Sequence, residues 1–179
     1  KDDFAETRVE SWPDAGWTLR PDRVTWIHVL GVHDAKAIAD FGEAHGIHRL
    51  ALEDIVNVGQ RPKIENYGDF LHMTFKWIRY DPEQGQLAYE QISLILKDNL
   101  LLSFQESPGN LFETAMGHFR DPRARGRSMP AYYLVHKMLD TAIDNYFSAM
   151  DPLGARIDEM ELELAERPTR DILLTIRTL

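Results

Sequence analysis

Glu53 and Asp54 are adjacent carboxylates inside the segment Leu50-Ala51-Leu52-Glu53-Asp54-Ile55-Val56-Asn57. Oxygen ligands of this kind suit a small, hard, hydrated dication, which keeps most of its water and takes only one or two carboxylates directly. On a helix, neighbouring residues diverge by about 100°, so this pair cannot close on one ion as two prongs of a clamp. A site built on them is completed from elsewhere, by another helix or another chain. The competing reading is a pair of solvated acids near a helix end. Asp140 is a third candidate: it lies beside an apolar seam, one turn before Asp144, and is either a ligand or the partner of a lysine or arginine.

Other chemistries find less support. His45 and His48, with Glu43 nearby, invite a zinc site, but Gly46 between them ends a helix and no His-Glu-x-x-His motif is present. His72 and His136 read as ordinary strand and helix residues. There is no glycine-rich phosphate loop, no Gly-x-Ser-x-Gly elbow and no cysteine nucleophile, so the chain does not read as an enzyme. A metal-dependent hydrolase is the weakest reading, since nothing flanking the paired acids defines a substrate pocket.

The bulk numbers narrow the partners. A formal charge of −9 over 179 residues argues against nucleic acid, which needs a concentrated cationic face. Four arginines between Arg120 and Arg127 read as a solvated loop, with no aromatic residues interleaved. The lack of cysteine removes disulfides and thiolate metal sites. No apolar run approaches the roughly 18 residues needed to cross a bilayer. The chain starts without Met and stops inside an apparent helix, Asp171 to Leu179, and so reads as an excised soluble piece of something longer.

Several elements must position the acids. Val24 to Leu30 is a strand ending at Gly31, Asp34 caps a helix running to Gly46, and Ile47 to Asn57 is a second short helix. Gln60-Arg61-Pro62-Lys63-Ile64-Glu65 follows as an extended turn in which Pro62 excludes helix. Phe70 to Tyr80 alternates, with Leu71, Met73, Phe75 and Trp77 on one face and His72, Thr74 and Lys76 on the other. With Gln86 to Leu96 and Leu100 to Gln105 it forms an antiparallel meander. Phe112 to Phe119 is a short helix. Ser128 and Pro130 open a long one, whose seam Leu139, Ile143, Tyr146, Met150, Leu153, Ile157, Met160 and Leu164 repeats as a heptad. Pro152 predicts a kink or break, and Thr169 caps a second helical arm.

In this order, several short strings resemble the cytosolic domain of the CorA-type magnesium transporter family. They are Thr25-Trp26-Ile27, Gly46-Ile47-His48, Leu52-Glu53-Asp54-Ile55, Gln60-Arg61-Pro62-Lys63, Glu65, Glu90-Gln91-Ile92-Ser93, Phe104-Gln105-Glu106, Tyr133-Leu134, Leu139-Asp140, Asp144-Asn145-Tyr146-Phe147 and Glu166-Arg167-Pro168. Each is weak alone; their joint order is specific. The resemblance implies an α/β fold, an αβα sandwich whose mixed central sheet carries the meander. A long C-terminal helical hairpin then leads into a truncated stalk helix. It divides the chain into a core at residues 1–127, a long helical segment at 128–167 and the start of the stalk at 168–179.

It further implies the regulatory domain of a homopentameric channel for Mg²⁺, with Co²⁺, Ni²⁺ or Zn²⁺ as alternatives. That domain would lie on the cytoplasmic face of the inner membrane and be joined to it by helices outside this chain, as is the Gly-Met-Asn selectivity loop. By position Glu53, Asp54 and Asp140 match the family's regulatory metal site, whose stalk-helix carboxylate lies beyond Leu179. A related zinc transporter and a plain oligomerisation module remain the alternatives.

Overall fold

The structure is a computed structural model and describes residues 4–10, 20, 22–81, 83–109, 111–121 and 123–166, apart from the His118 side chain. Five strands form one mixed sheet in the order β1-β5-β4-β3-β2. They are β1 (Thr25–Leu30), β2 (Lys63–Asn66), β3 (Leu71–Asp81), β4 (Gln86–Lys97) and β5 (Leu100–Gln105). The last is fully buried (Leu-Leu-Leu-Ser-Phe-Gln), as its central place in the sheet demands. It pairs in parallel with β1, from Thr25 opposite Leu100 to Leu30 opposite Gln105, and antiparallel with β4. The predicted meander therefore forms three neighbouring strands, and β1 makes the sheet mixed. The strand β2 was not expected: the segment read as a turn pairs antiparallel with β3 at the sheet edge.

One face of the sheet is covered by α1 (Ala35–Ala44) and α2 (Arg49–Val56). Ile38, Phe41, Ala51, Leu52 and Ile55 from these helices share a buried cluster with Ile95, Leu100, Leu102 and Phe104 of the strands. Asp34 caps α1 as expected, its Oδ1 accepting from Ala37 N at 2.9 Å. Past the helix end Gly46 adopts φ +66, the left-handed value that favours glycine there. Gly42 lets α1 approach α2, since a Cβ on it would lie 2.4 Å from both Leu52 methyl carbons.

Alternation along β1 sends the other residues to the opposite face. There Trp26 and His28 meet Phe112 of α3 (Leu111–Arg120), with ring centroids 5.7 and 4.5 Å apart. Trp26 Nε1 donates to Ser103 Oγ at 2.8 Å. Residues Arg125–Ser128 form a 3-10 turn, so Ser128 does not cap the long helix; its hydroxyl donates to Arg125 O, and α4 begins at Ala131, after Pro130.

Helix α4 spans Ala131–Glu166 and is continuous through Pro152, so the predicted break is absent. Pro152 removes one backbone donor and its ring crowds the carbonyl one turn earlier, but its side chain is exposed, so no packed neighbour has to be displaced. The predicted seam holds in one of its two rows: Met160 is buried and Leu139, Tyr146 and Leu153 are half-buried. In the other row Ile143, Met150 and Ile157 are exposed, and the other buried positions are Ala131, Leu134, Val135, Met138, Ala142 and Ala149. Small alanines occupy inward positions that a hydrophobicity pattern undervalues.

The chain divides into two compact units, one of residues 1–76 with 90–141, the other of 77–89 with 142–179. Within the second, Asn145 Nδ2 donates to Ile78 O. All candidate site residues belong to the first. The second helical arm predicted from Thr169, and with it the stalk segment, lies outside the described residues. Among the described residues no helix is long and apolar enough to cross a membrane.

Candidate metal centre

Asp54 sits in the last turn of α2, where the unpaired carbonyls of the helix end disfavour an anion and no basic residue of that turn compensates. The compensation comes from β2. Lys63 Nζ lies 2.6 Å from Asp54 Oδ2 and 2.9 Å from Glu65 Oε2, one ammonium bridging two carboxylates. Those two hydrogen-bonded acids hold the Lys63 ammonium above its ordinary range. The backbone here is pinned by Gln91 of β4, which is buried. Its Nε2 donates to Asp54 O at 2.9 Å, and its Oε1 accepts from Gln60 N at 3.1 Å. Lys76 Nζ adds a bond to Val58 O at 2.7 Å.

Strand register completes the group. Glu65 lies opposite His72 and Lys63 opposite Thr74, and residues two apart on a strand share a face. Lys63, Glu65, His72 and Thr74 therefore gather on one face of the β2–β3 edge, against the end of α2. One ligand atom from each of Asp54, Glu65 and His72 falls within 4.8 Å of the others. His72 is 0 % exposed; Nε2 lies 3.3 Å from Thr74 Oγ1, while Nδ1 has no hydrogen-bond partner. The nearest acceptor, Glu65 Oε2, is 3.8 Å away, too far for a hydrogen bond. A buried polar atom left in this state costs about 1–3 kcal/mol. Burial holds the imidazole below its ordinary pKa, against the pull of the Asp54 carboxylate. Tyr67, whose hydroxyl donates to Glu65 Oε2 at 3.4 Å, has its phenol pushed up, first by burial and then by the Glu65 and Asp54 charges.

The residues expected from the sequence fall in separate places. Glu53 is exposed and is set about 100° round the helix from Asp54. Asp140, on α4, pairs with Lys137 one turn earlier at 2.9 Å. Among the described residues Glu53, Asp54 and Asp140 do not converge, and the one acidic group within ligand distance is Asp54, Glu65 and His72. Sequence reasoning missed Lys63, Glu65 and His72 as members of a site. Their convergence depends on the register of an edge strand that carries no hydrophobic period.

A family model described as "CorA-like Mg2+ transporter protein" matches residues 21–179. The chain belongs to this CorA-like family. It is 38% identical over 147 residues to the "Cobalt/magnesium transport protein CorA" of Thermotoga maritima. That match covers 82% of this chain and 42% of the relative, so the chain spans well under half of that protein's length. Among solved structures, the soluble domain of CorA from Methanocaldococcus jannaschii superposes with a TM-score of 0.69 at 18% identity, over 86% of this chain and 60% of that one. The ZntB cytoplasmic domain from Vibrio parahaemolyticus superposes with a TM-score of 0.53 at 15% identity, over 81% and 56%. At these identities the superpositions establish the CorA-like fold alone.

Proposed function

We propose that this chain is the cytosolic regulatory domain of a transporter for Mg²⁺, with Co²⁺ or Ni²⁺ as further cargo, and that it senses intracellular Mg²⁺ where copies of the chain meet. The observation that carries the reading is the family match over residues 21–179. The arrangement of the acids supports the sensing half. Asp54 is paired with Lys63 and Asp140 with Lys137, lysines of the same chain. Glu53 is exposed beside the first of them. Such acids suit a hydrated Mg²⁺ held by a few direct oxygens and retained water.

In this reading a homopentamer forms in the full-length protein, anchored at the cytoplasmic face of the membrane by helices beyond Leu179. Without Mg²⁺, carboxylates from neighbouring copies repel across the interface. With Mg²⁺ that repulsion is cancelled and the subunits lock, which biases a closed state by the difference in the ion's affinity for the two arrangements. The ion competes with Lys63 and Lys137 for Asp54 and Asp140. This competition suits a sensor that responds only when the ion is plentiful.

Thermal melting with and without Mg²⁺ tests the proposal. At ten times Kd a single site stabilises by about 1.4 kcal/mol, which for a chain of this size raises Tm by about 3 to 5 °C. The rise is expected in the wild type and absent in Asp54→Asn. A wild-type midpoint indifferent to millimolar Mg²⁺ would remove the sensing role and leave the family assignment standing.

A further inference from the structure

The ion pair of Lys63 with Asp54 and Glu65 accounts for two carboxylates and leaves one group unexplained. His72 is wholly buried, and its Nδ1 lacks a partner on the face where the acids gather. A hydrophobic residue would fill that position without leaving an orphaned nitrogen. An imidazole nitrogen beside two carboxylates is the donor set of a borderline first-row dication, whereas Mg²⁺ takes oxygen alone. We propose that Asp54, Glu65 and His72 form an intrachain site for a first-row transition dication, such as Co²⁺, Ni²⁺ or Zn²⁺, in which the Lys63 ammonium is a tethered stand-in cation that the metal displaces.

The geometry is close to that of a bound ion. With metal–ligand bonds of about 2.0–2.2 Å, ligand atoms lie about 3 to 4.4 Å apart, depending on whether they are adjacent or opposed. Here all three lie within 4.8 Å of one another, so side-chain shifts of about 1 Å close the set. A cation already stands between two of them, at 2.6 and 2.9 Å. Its side chain is 29% exposed, so the ammonium can swing into water when displaced. With the proton on Nε2 donated to Thr74 Oγ1 at 3.3 Å, Nδ1 keeps its lone pair toward the acids, and Thr74 fixes the ring as an outer partner. Charge favours the exchange: two carboxylates with one ammonium leave a net −1, and a dication neutralises both.

This site goes beyond the Mg²⁺ reading. It shares Asp54 with that reading but is complete within one chain, and His72 belongs to it alone. The chain would thereby distinguish transition metal from Mg²⁺ before any contact between copies.

The test is a CoCl₂ titration of the tag-free chain at pH 7.5, followed by the visible ligand-field absorption of Co²⁺, with MgCl₂ melts in parallel. The wild type is expected to bind one Co²⁺ per chain with a distinct visible band. His72→Phe should weaken that binding at least tenfold while keeping the Mg²⁺ melting shift. Lys63→Met, which removes the tethered competitor, should tighten Co²⁺ binding at least tenfold. Equal Co²⁺ affinity in wild type and His72→Phe would overturn the site, as would Lys63→Met that binds no tighter than wild type. Should His72→Phe fail to fold, the Lys63→Met titration decides. Co²⁺ binding that follows these expectations in a chain whose melting ignores Mg²⁺ would sustain this site and strike only the Mg²⁺ reading.

Discussion

Two polar clusters, one buried and one partly exposed, lie against the same sheet and solve the same electrostatic problem differently. At Glu90, on β4, the carboxylate is only 7 % exposed and is satisfied by uncharged donors: Gln105 Nε2 at 3.0 Å, Ser107 N at 3.2 Å and Ser107 Oγ at 3.0 Å. At Asp54 and Glu65 the charge is met by the ammonium of Lys63, and a neighbouring imidazole nitrogen is left unpaired. In the first cluster the anion is held by uncharged donors, and although Gln105 Oε1 there also lacks a partner, no ammonium bridges it. The second already uses a cation, so exchanging one cation for another changes its state without dismantling it. Buried hydrogen-bonded carboxylates stabilise a fold, whereas carboxylates balanced by a mobile, partly exposed lysine can answer to an ion in solution.

Glu90→Ala leaves three donors beside a buried void and should destabilise the chain by about 3 kcal/mol, read from urea unfolding. A loss under 1 kcal/mol would mean that the cluster is not the fixed one described. Gln91→Ala removes the bonds to Asp54 O and Gln60 N that tie the two clusters together. It should cost about 2 kcal/mol and also blunt the Mg²⁺ melting shift, because the end of α2 is no longer fixed.

Lys63→Met in metal-free buffer should cost about 1 kcal/mol or less, since its ion pairs are partly solvated, and the loss should shrink further at high salt. The smallest effect concerns His28, which lies against Phe112 near the Glu90 side. The residue is exposed by area, but desolvation of the ring where it packs on Phe112 lowers its pKa, opposed by its contact with Ser103 and by the Glu90 charge. Because the folded-state value lies below the unfolded one, its contribution is intact above the ordinary histidine pKa and is lost as pH falls through and below it. Urea midpoints between pH 7 and 5 should therefore decline in the wild type and decline less in His28→Phe.

Much of the scaffold was legible because local rules and tertiary packing agree there. Asp34 at the start of α1, Gly46 past its end and the alternating run of β3 each state their structure in a few residues. The edge strand β2 was not legible. Lys-Ile-Glu-Asn is too short and too polar to show a period, and its one apolar residue, Ile64, is 70% exposed. One row of the α4 seam misled for the converse reason. Ile143 and Met150 look like core yet face outward, while Ala142 and Ala149 are buried. Of the site, Glu53 and Asp54 could be picked out as adjacent acids. The convergence of Lys63, Glu65 and His72 on Asp54 could not, because it follows from the β2–β3 register and that register was invisible without β2.

The central claim is that Asp54 belongs to a Mg²⁺ site completed between copies of the chain. Sedimentation velocity of the wild type and Asp54→Asn, each in metal-free buffer and in about 20 mM Mg²⁺, far above the millimolar affinity a sensor needs, tests it most directly. The wild type should move to a larger species when Mg²⁺ is added and Asp54→Asn should not. Identical sedimentation of the wild type in both buffers, or an equal Mg²⁺-driven shift in Asp54→Asn, would contradict it.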